Sequence, residues 1–255
     1  MVDPMAVGNT HYMQTKLRRM PVWLQKYMPE GFRPAKAAAF SGDEMKYYGI
    51  VSMFRIHTSV FWRVRSEFYL VAENTKTGLL SWVMMDYFSD TISYDEKHGL
   101  KSPDALRTVL TTTCEGKLIA EIKGEGKEVC CQANLKGAQM RALEPKFWIE
   151  GNTSIAYGRL AGEADGDLFS LTFMPEEMTE AWEMPIKEVS VERVKCGNAK
   201  IEAKLEKAIC FPFAQHMLSD SPGVHTHYGN EKALRAAAEA VDFKQIRGIG
   251  ARNRG

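Results

Sequence analysis

The stretch FWRVRSEFYLVAEN, residues 61–74, carries the pattern on which the fold prediction depends. Its first half alternates charged with bulky residues and its second half is mostly apolar, which is typical of a β-strand. Because side chains on one face of a strand repeat every two residues, we expect Arg63, Arg65 and Glu67 to share a face. That face is either an exposed charged stripe or an inward surface. If inward, the arginines would hold an anionic substrate, and Glu67 would orient it or move protons.

Further segments with the same β-branched and aromatic content surround this stretch. They lie at residues 46–59, 78–89, 106–116, 117–126, 127–137, 146–162 and 167–175. Turn signals separate them, and Gly124-Glu125-Gly126 predicts a hairpin. Residues 186–208 predict two more strands about a turn at Cys196-Gly197-Asn198. The sequence therefore predicts a mainly β, α+β fold in which many antiparallel strands close or nearly close into a barrel or stacked sheets.

Helices are predicted at the two ends of this β body. Residues 21–32 favour a short helix, and residues 231–246 favour a longer one near the C-terminus. No internal repeat or linker divides the chain, so we expect a single domain over residues 21–245. A loose N-terminal arm is expected at residues 1–20, and a frayed basic tail is expected at residues 246–255.

The composition limits the classes of partner and the compartment. The 255 residues include 33 basic and 32 acidic side chains, so the net charge of +1 gives no support for a nucleic-acid partner. No stretch approaches the roughly 18 apolar residues of a membrane-spanning helix, so we expect no membrane insertion. The five cysteines form no CxxC pair, and the odd count, with Cys130 beside Cys131, favours reduced thiols in a cytoplasmic protein.

Several common catalytic and cofactor motifs are absent from the sequence, including GxGxxG after a strand, Walker A, GxSxG and HExxH. His225 and His227 are two residues apart, so on an extended segment both rings would lie on one side and could share a metal. No carboxylate or cysteine stands near them at ligand spacing. We therefore predict neither a metal site nor an organic cofactor.

A second stretch, SYDEKHGLKSPDAL at residues 93–106, raises the question of a reactive lysine. An amine is a useful nucleophile only when neutral, and burial or a nearby cation lowers its pKa enough for Schiff-base chemistry. Lys97 and Lys101 are either ordinary protonated lysines of a surface loop, or one of them is such a nucleophile close to Arg63 or Arg65. The residue types alone leave both interpretations open.

The order of these segments resembles the acetoacetate decarboxylase superfamily over roughly residues 20–220. WLQKYMPEGFRP is similar to the opening helix of the family, and GLLSWVMMDYFSD looks like a family strand that ends in Asp. SYDEKHGLKSPDA falls where the family has its Schiff-base lysine, and KLIAEIKGEGKEVCCQANL resembles the hairpin that follows. IKEVSVERVKCGNAKIEAKLEKAICFPF is similar to a pair of family strands followed by an apolar segment with proline.

The resemblance implies a large curved antiparallel β-barrel-like core with a central hydrophobic cavity, peripheral helices and a homo-oligomeric state. It also places Glu67 within one residue of the active-site glutamate of the family. The lysine departs from the pattern, because an alignment without gaps from Asp86 puts the family nucleophile at Ser102. Lys101 is one position early and a lysine pair is missing, so either Lys101 is shifted inward or the Schiff-base lysine is lost.

These observations favour an enzyme that acts on a small-molecule keto acid or related carbonyl compound, in the manner of a cofactor-independent, decarboxylase-like lyase. Lys101 would form an imine, and Glu67 would orient the substrate or shuttle protons. Arg63 or Arg65 would receive the anion and lower the lysine pKa, while His98 or Tyr94 would assist as acid or base.

Two alternatives stay open. In the first, a cavity rich in aromatic residues binds or transforms a hydrophobic small molecule without a covalent lysine intermediate. Trp62, Phe68, Trp82 and Phe88 would line that cavity, although core packing explains them equally well. In the second, the chain is an interaction or scaffold protein, which would show a large exposed apolar patch and a filled cavity.

Overall fold

The computed structural model describes residues 2–16, 28, 30–57, 62–76, 78–90, 105–150, 155–156, 168–169, 171–173, 177–195, 204–211 and 215–220. Within these residues the chain forms sixteen β-strands and two short helical turns. The strands are β1 (Val2–Lys16), β2 (Phe32–Pro34), β3 (Tyr48–His57), β4 (Trp62–Asn74), β5 (Leu80–Ser89), β6 (Ala105–Thr112), β7 (Lys117–Gly124), β8 (Glu128–Asn134), β9 (Gln139–Ala142), β10 (Ile155–Ala156), β11 (Leu168–Phe169), β12 (Leu171–Phe173), β13 (Glu180–Met184), β14 (Val189–Lys195), β15 (Lys204–Cys210) and β16 (Gln215–Asp220). A π-helical turn spans Lys146–Glu150 and a 3-10 turn spans Ile186–Glu188.

Ten of these strands build one main sheet, with the order β2-β4-β3-β1-β15-β13-β9. In addition, β5 pairs with β4, and β16 pairs with both β1 and β12. Every pairing in this sheet is antiparallel, which confirms the prediction of a mainly antiparallel β fold. The pairings among the described strands do not close into a ring, so the barrel-like core stays a prediction. The two predicted terminal helices fall almost wholly outside the described residues.

The N-terminal segment differs from the sequence prediction. The sequence predicts a loose arm at residues 1–20, but Val2–Lys16 is strand β1. One side of β1 pairs with β3, and the other side pairs first with β16 and then with β15. The mixed polar composition of this segment conceals a strand because ladder hydrogen bonds come from the backbone, whatever the side chains are. The prediction of a loose arm is therefore wrong for these residues.

A second sheet of four antiparallel strands has the order β14-β8-β7-β6. Strands β7 and β8 form the predicted hairpin, in which Lys123 pairs with Glu128 next to Gly126, whose φ of 70° suits a residue without a Cβ. The buried face of this sheet packs against the main sheet. We call the apolar residues between the two sheets the intersheet cluster; they are Val51, Met53, Val64, Phe68, Leu70, Leu110, Ala120, Ile122, Val129 and Cys131.

A larger apolar cluster covers the other face of the main sheet. We call it the aromatic cluster; its largest members are Phe40, Tyr48, Tyr69, Trp82, Phe147, Trp148 and Phe211. Several of its rings pack edge to face or tilted, with centroid separations of 4.9 to 5.5 Å, the range that aromatic quadrupoles favour. The indole Nε1 of Trp148 donates a hydrogen bond to the Ala39 carbonyl at 2.7 Å. The two clusters thus give the main sheet two buried faces.

The first residues of the strand predicted at 146–162 also depart from the prediction, because Lys146–Glu150 form the π-helical turn, whereas Ile155–Ala156 form strand β10. Phe147 and Trp148 are consecutive and both fully buried in the aromatic cluster. A strand would place two consecutive side chains on opposite faces, whereas a helical turn lets both enter one core. The two strands predicted within residues 186–208 are confirmed as β14 and β15, but they belong to different sheets. The turn predicted at Cys196-Gly197-Asn198 lies outside the described residues.

A network of ion pairs, which was not predicted from the sequence, connects the turn after Phe40 to the main sheet. Arg141 contacts Glu183 at 2.5 Å and Asp43 at 2.9 Å, while Lys207 contacts the same two carboxylates, each at 2.8 Å. The Arg141 guanidinium also lies 4.5 Å from the ring centroid of Phe40. Because each charge in this network has two opposite neighbours, we interpret it as a structural contact between strands.

Candidate functional site

The buried charges of β4 are the main polar feature of the aromatic-cluster face. Arg65 and Glu67 are two residues apart on this strand, so both point to the same face, and their side chains are only 3% and 6% exposed. The Nε atom of Arg65 forms an ion pair with Oε1 of Glu67. The interpretation of an exposed charged stripe is therefore wrong for these two residues. Arg63 occupies the next same-face position in the register, and its side chain lies outside the described residues.

Burial alters the acidity of Glu67. Loss of contact with water raises the pKa of this carboxyl above its usual range, and the attraction of the Arg65 guanidinium opposes the rise only in part. A carboxyl with a raised pKa exchanges its proton closer to neutral pH than a solvated one. Groups perturbed in this way are frequent among general acids and bases, so Glu67 has the electrostatic character of the role predicted for it.

Ser52 adds a hydroxyl beside this pair. Ser52 of β3 is directly paired with Glu67 of β4, so the two side chains are neighbours on one face, with Cβ atoms about 5 Å apart. Ser52 is fully buried, and its Oγ has no hydrogen-bond partner among the described residues. Ser52 was not among the residues predicted for the site. The signal that would have found it is a single hydroxyl inside the apolar run IVSMF, residues 50–54.

Asp90 holds together the strands from which the predicted lysine segment departs. One carboxylate oxygen of Asp90 accepts a hydrogen bond from the Val64 N–H at 2.8 Å, and the other accepts one from the Thr108 hydroxyl at 2.6 Å. The Asp90 N–H donates to the Val64 carbonyl at 3.3 Å. The end of β5 is therefore tied both to β4, next to Arg65, and to β6. Residues 91–104, with Tyr94, His98 and Lys101, connect these strands and lie outside the described residues.

The candidate aromatic residues do not share one surface. Trp82 of β5 is almost fully buried in the aromatic cluster, where it contacts the rings of Tyr69, Phe147 and Trp148. Phe68 of β4 belongs to the intersheet cluster on the opposite face. A cavity lined by both Phe68 and Trp82 is thus inconsistent with the structure. The side chains of the other two candidates, Trp62 and Phe88, lie outside the described residues.

Among the described residues, the thiols and possible metal ligands give no second site. Burial raises the pKa of Cys131 and of Cys210 to about 12, whereas Cys114 is exposed and Cys130 is half-buried. Among the residues that the structure describes, no three His, Cys, Asp or Glu side chains cluster in a way that could hold a metal ion. His225 and His227, which were weighed as metal ligands in the sequence, lie outside these residues.

No helix in the described part of the chain has both the length and the apolar character needed to cross a membrane. Among the described residues, the large apolar side chains of which more than a third is exposed are Met45, Leu106, Met140, Ile186 and Val191.

Comparison with known proteins gives a clear result only for solved structures. No family model matches the chain, and no curated protein matches it either. The crystal structure of acetoacetate decarboxylase from Legionella pneumophila subsp. pneumophila str. Philadelphia 1 is similar with a TM-score of 0.55 and 15% identity, and the match covers 88% of this chain and 87% of that one. An acetoacetate decarboxylase-like enzyme from Sphingomonas wittichii RW1 matches with a TM-score of 0.51 and 8% identity, over 86% and 90% of the two chains.

A third similar structure is the enduracididine biosynthesis enzyme MppR, complexed with the condensation product of pyruvate and imidazole 4-carboxaldehyde. Its TM-score is 0.51 at 9% identity, with 86% of this chain and 87% of MppR covered. At these identities the likeness shows the fold alone. It confirms, at the level of the fold, the resemblance drawn from the order of the sequence segments.

Proposed function

We propose that this chain, which has the acetoacetate decarboxylase-like fold, is an enzyme that acts on a small keto acid or related carbonyl compound through an imine on Lys101. The observation that carries the proposal is the buried ion pair of Arg65 and Glu67. Burying two charges rarely stabilises a fold more than apolar side chains of the same volume would. A pair kept at such a cost, beside the buried hydroxyl of Ser52, favours a site that receives a polar ligand.

The roles of the residues follow from their chemistry. Glu67, whose pKa is raised by burial, orients the substrate or transfers a proton, and Arg65 supplies positive charge for an anionic substrate. Arg63 is the alternative cation, and Trp62 and Trp82 would contribute apolar surface. The neutral amine of Lys101 attacks the carbonyl carbon, water leaves, and the protonated imine then serves as electron sink for decarboxylation, aldol chemistry or dehydration. His98 or Tyr94 assists as acid or base.

The connectivity of the chain supports this assignment. Asp90, from which the lysine segment starts, is hydrogen-bonded to Val64, the residue before Arg65. Lys101 is four residues before Ala105, the first residue of β6, so covalent geometry keeps their Cα atoms within about 14 Å. The contact between Asp90 and Thr108 connects the end of β5 to β6, which packs on the intersheet face of the main sheet. Both ends of the segment are thus attached near Val64, one residue from Arg65, whose side chain points to the opposite face.

A second candidate function keeps the site and omits the covalent step. The observation that favours it is the register of the sequence, in which Ser102 and not Lys101 aligns with the nucleophilic lysine of the resembled family. In that case Arg65, Glu67 and Ser52 would bind the ligand by hydrogen bonds and charge alone. For either function we propose a cytoplasmic homo-oligomer that needs no metal or organic cofactor. Sedimentation equilibrium of the purified chain tests the oligomeric state.

Trapping with borohydride separates the two functions. The purified protein is incubated with a panel of α-keto and β-keto acids, reduced, digested and mapped by mass spectrometry. We expect a stable adduct on Lys101 that disappears in Lys101→Ala and in Lys101→Arg, which keeps the charge. Lys97→Ala is the matched control, because it removes a lysine from the same segment and should leave the adduct intact. No adduct on any lysine would refute the imine and favour the non-covalent function.

A further inference from the structure

The hydroxyl of Ser52 is a buried polar group to which none of the described residues offers a hydrogen bond. Ser52 is fully buried in the centre of β3, and its Oγ has no hydrogen-bond partner among the described residues. Buried hydroxyls normally find a partner, because leaving one without a hydrogen bond costs free energy. A group of this kind needs an explanation, and a ligand that supplies the missing partner is one.

The surroundings of Ser52 indicate what that ligand is. Ser52 lies directly opposite Glu67 and belongs to the face that also carries Arg65, whose partner in the register is Phe54. Along β3 the neighbours on this face are apolar, since Ile50 and Phe54 belong to the aromatic cluster, and on its other side Ser52 is paired with Tyr12 of β1. A hydroxyl near one carboxyl and one guanidinium, with apolar neighbours along its own strand, suits a small ligand with an oxygen acceptor and a short carbon chain.

Ser66 provides a comparison within the same sheet. It lies between Arg65 and Glu67 in β4, is almost fully buried, and its Oγ also has no partner among the described residues. However, Ser66 is paired with Met53, a member of the intersheet cluster, so its side chain points away from the charged pair. The two serines therefore match in burial and in chemistry and differ in the face on which they lie.

We infer that the Ser52 hydroxyl is a specificity-determining group that donates a hydrogen bond to the keto oxygen of a bound small keto acid. This inference rests on the proposed function for the class of ligand and does not depend on the imine. A site that offers a hydrogen bond to a substrate oxygen disfavours the analogue that lacks this oxygen, because the buried donor then stays unpaired. Ser52 thus favours a keto acid over the corresponding saturated fatty acid.

The test uses acetoacetate and butyrate, which share a four-carbon skeleton and a carboxylate and differ in the keto group. Binding is measured by calorimetry in the Lys101→Ala background, where no imine at that lysine contributes to the affinity. We expect this variant to bind acetoacetate more tightly than butyrate. Adding Ser52→Ala should lower the affinity for acetoacetate about three- to tenfold, which corresponds to the free energy of one hydrogen bond. The affinity for butyrate should stay unchanged. Adding Ser66→Ala should change neither affinity.

Any of three results would overturn the inference. Ser52→Ala could lower the affinities for acetoacetate and butyrate equally, or Ser66→Ala could lower the affinity for acetoacetate as much as Ser52→Ala does. The third result is that acetoacetate does not bind in the Lys101→Ala background. Urea unfolding checks the fold, and both serine substitutions should leave stability similar, because each removes a buried hydroxyl without a partner. Borohydride trapping in the wild type tests the imine separately. An adduct on Lys101, together with an affinity for acetoacetate that Ser52→Ala leaves unchanged, would support the proposed function and refute the role of Ser52.

Discussion

Replacing Arg65 by methionine tests whether the ion pair of β4 is truly inside the protein. Methionine has an unbranched side chain that fills much of the same space, so the main change is the loss of the charge. Glu67 would then be a buried carboxyl without its cation, since only 6% of its side chain is exposed. Removing one partner of a buried pair typically costs about 3–5 kcal/mol, out of a total stability of about 5–15 kcal/mol.

The cost of Arg65→Met should depend on pH, with a sign that follows from Glu67. Burial raises the pKa of Glu67 above its unfolded value of about 4.3, and removing the attraction of Arg65 raises this pKa further. A group whose pKa is higher in the folded state contributes stability that is fully present below the unfolded pKa and is lost as pH rises through the folded pKa. We therefore expect a small cost near pH 4 that increases toward neutral pH.

Urea unfolding followed by tryptophan fluorescence at several pH values between 4 and 8 measures this cost. The wild type, Arg65→Met, Glu67→Leu and the double variant complete a thermodynamic cycle. We expect the double variant to be much more stable at pH 7 than Arg65→Met alone, because it leaves no unpaired buried charge. A cost independent of pH, or a double variant whose loss equals the sum of the two single losses, would show that the carboxylate is solvated and would refute the site described for β4.

Two further predictions concern other parts of the molecule. Trp148→Phe should lower the free energy of unfolding by about 1–3 kcal/mol, because the indole hydrogen bond to the Ala39 carbonyl at 2.7 Å is lost and the smaller ring leaves space in the aromatic cluster, although that carbonyl keeps the Glu144 N–H as a donor; an unchanged urea midpoint would contradict this. Labelling with a disulfide reagent at pH 8 should modify Cys114 in the native protein and reach Cys131 and Cys210 only after unfolding, since burial raises the pKa of both to about 12. Native labelling of Cys131 as fast as that of Cys114 would contradict the second prediction.

The strands were predictable where the local alternation of apolar and polar residues indicates which face of the sheet is buried and which is exposed. Residues 117–126 and 127–137 predicted β7 and β8 because apolar residues alternate along both and a glycine turn joins them. Local patterns failed where pairing depends on distant residues. Strand β1 lies between β3 and two later strands, and no property of residues 2–16 alone reveals those partners.

The candidate site was predictable in part for the same reason. The spacing of Arg65 and Glu67 fixes that they share a face, but a period of two residues is the same for an exposed and a buried face. Only the packing of the aromatic cluster on that side decides the question. Ser52 was missed because its neighbour across the sheet, Glu67, is fifteen residues away, and the register that brings them together is a property of the β3–β4 pair.

Two polar contacts of β4 lie next to each other in the sequence. The backbone of Val64 is hydrogen-bonded to Asp90, and the next residue, Arg65, forms the buried ion pair with Glu67. The lysine segment therefore leaves the sheet next to the strand residues that carry the charged pair. This proximity exists whether or not Lys101 is the nucleophile. If trapping finds no adduct, the segment still leaves the sheet at Asp90, which is bonded to the residue before Arg65, and Ser102 becomes the residue in the expected register. The covalent and non-covalent functions therefore differ in one side chain, and they predict the same dependence of ligand binding on Ser52.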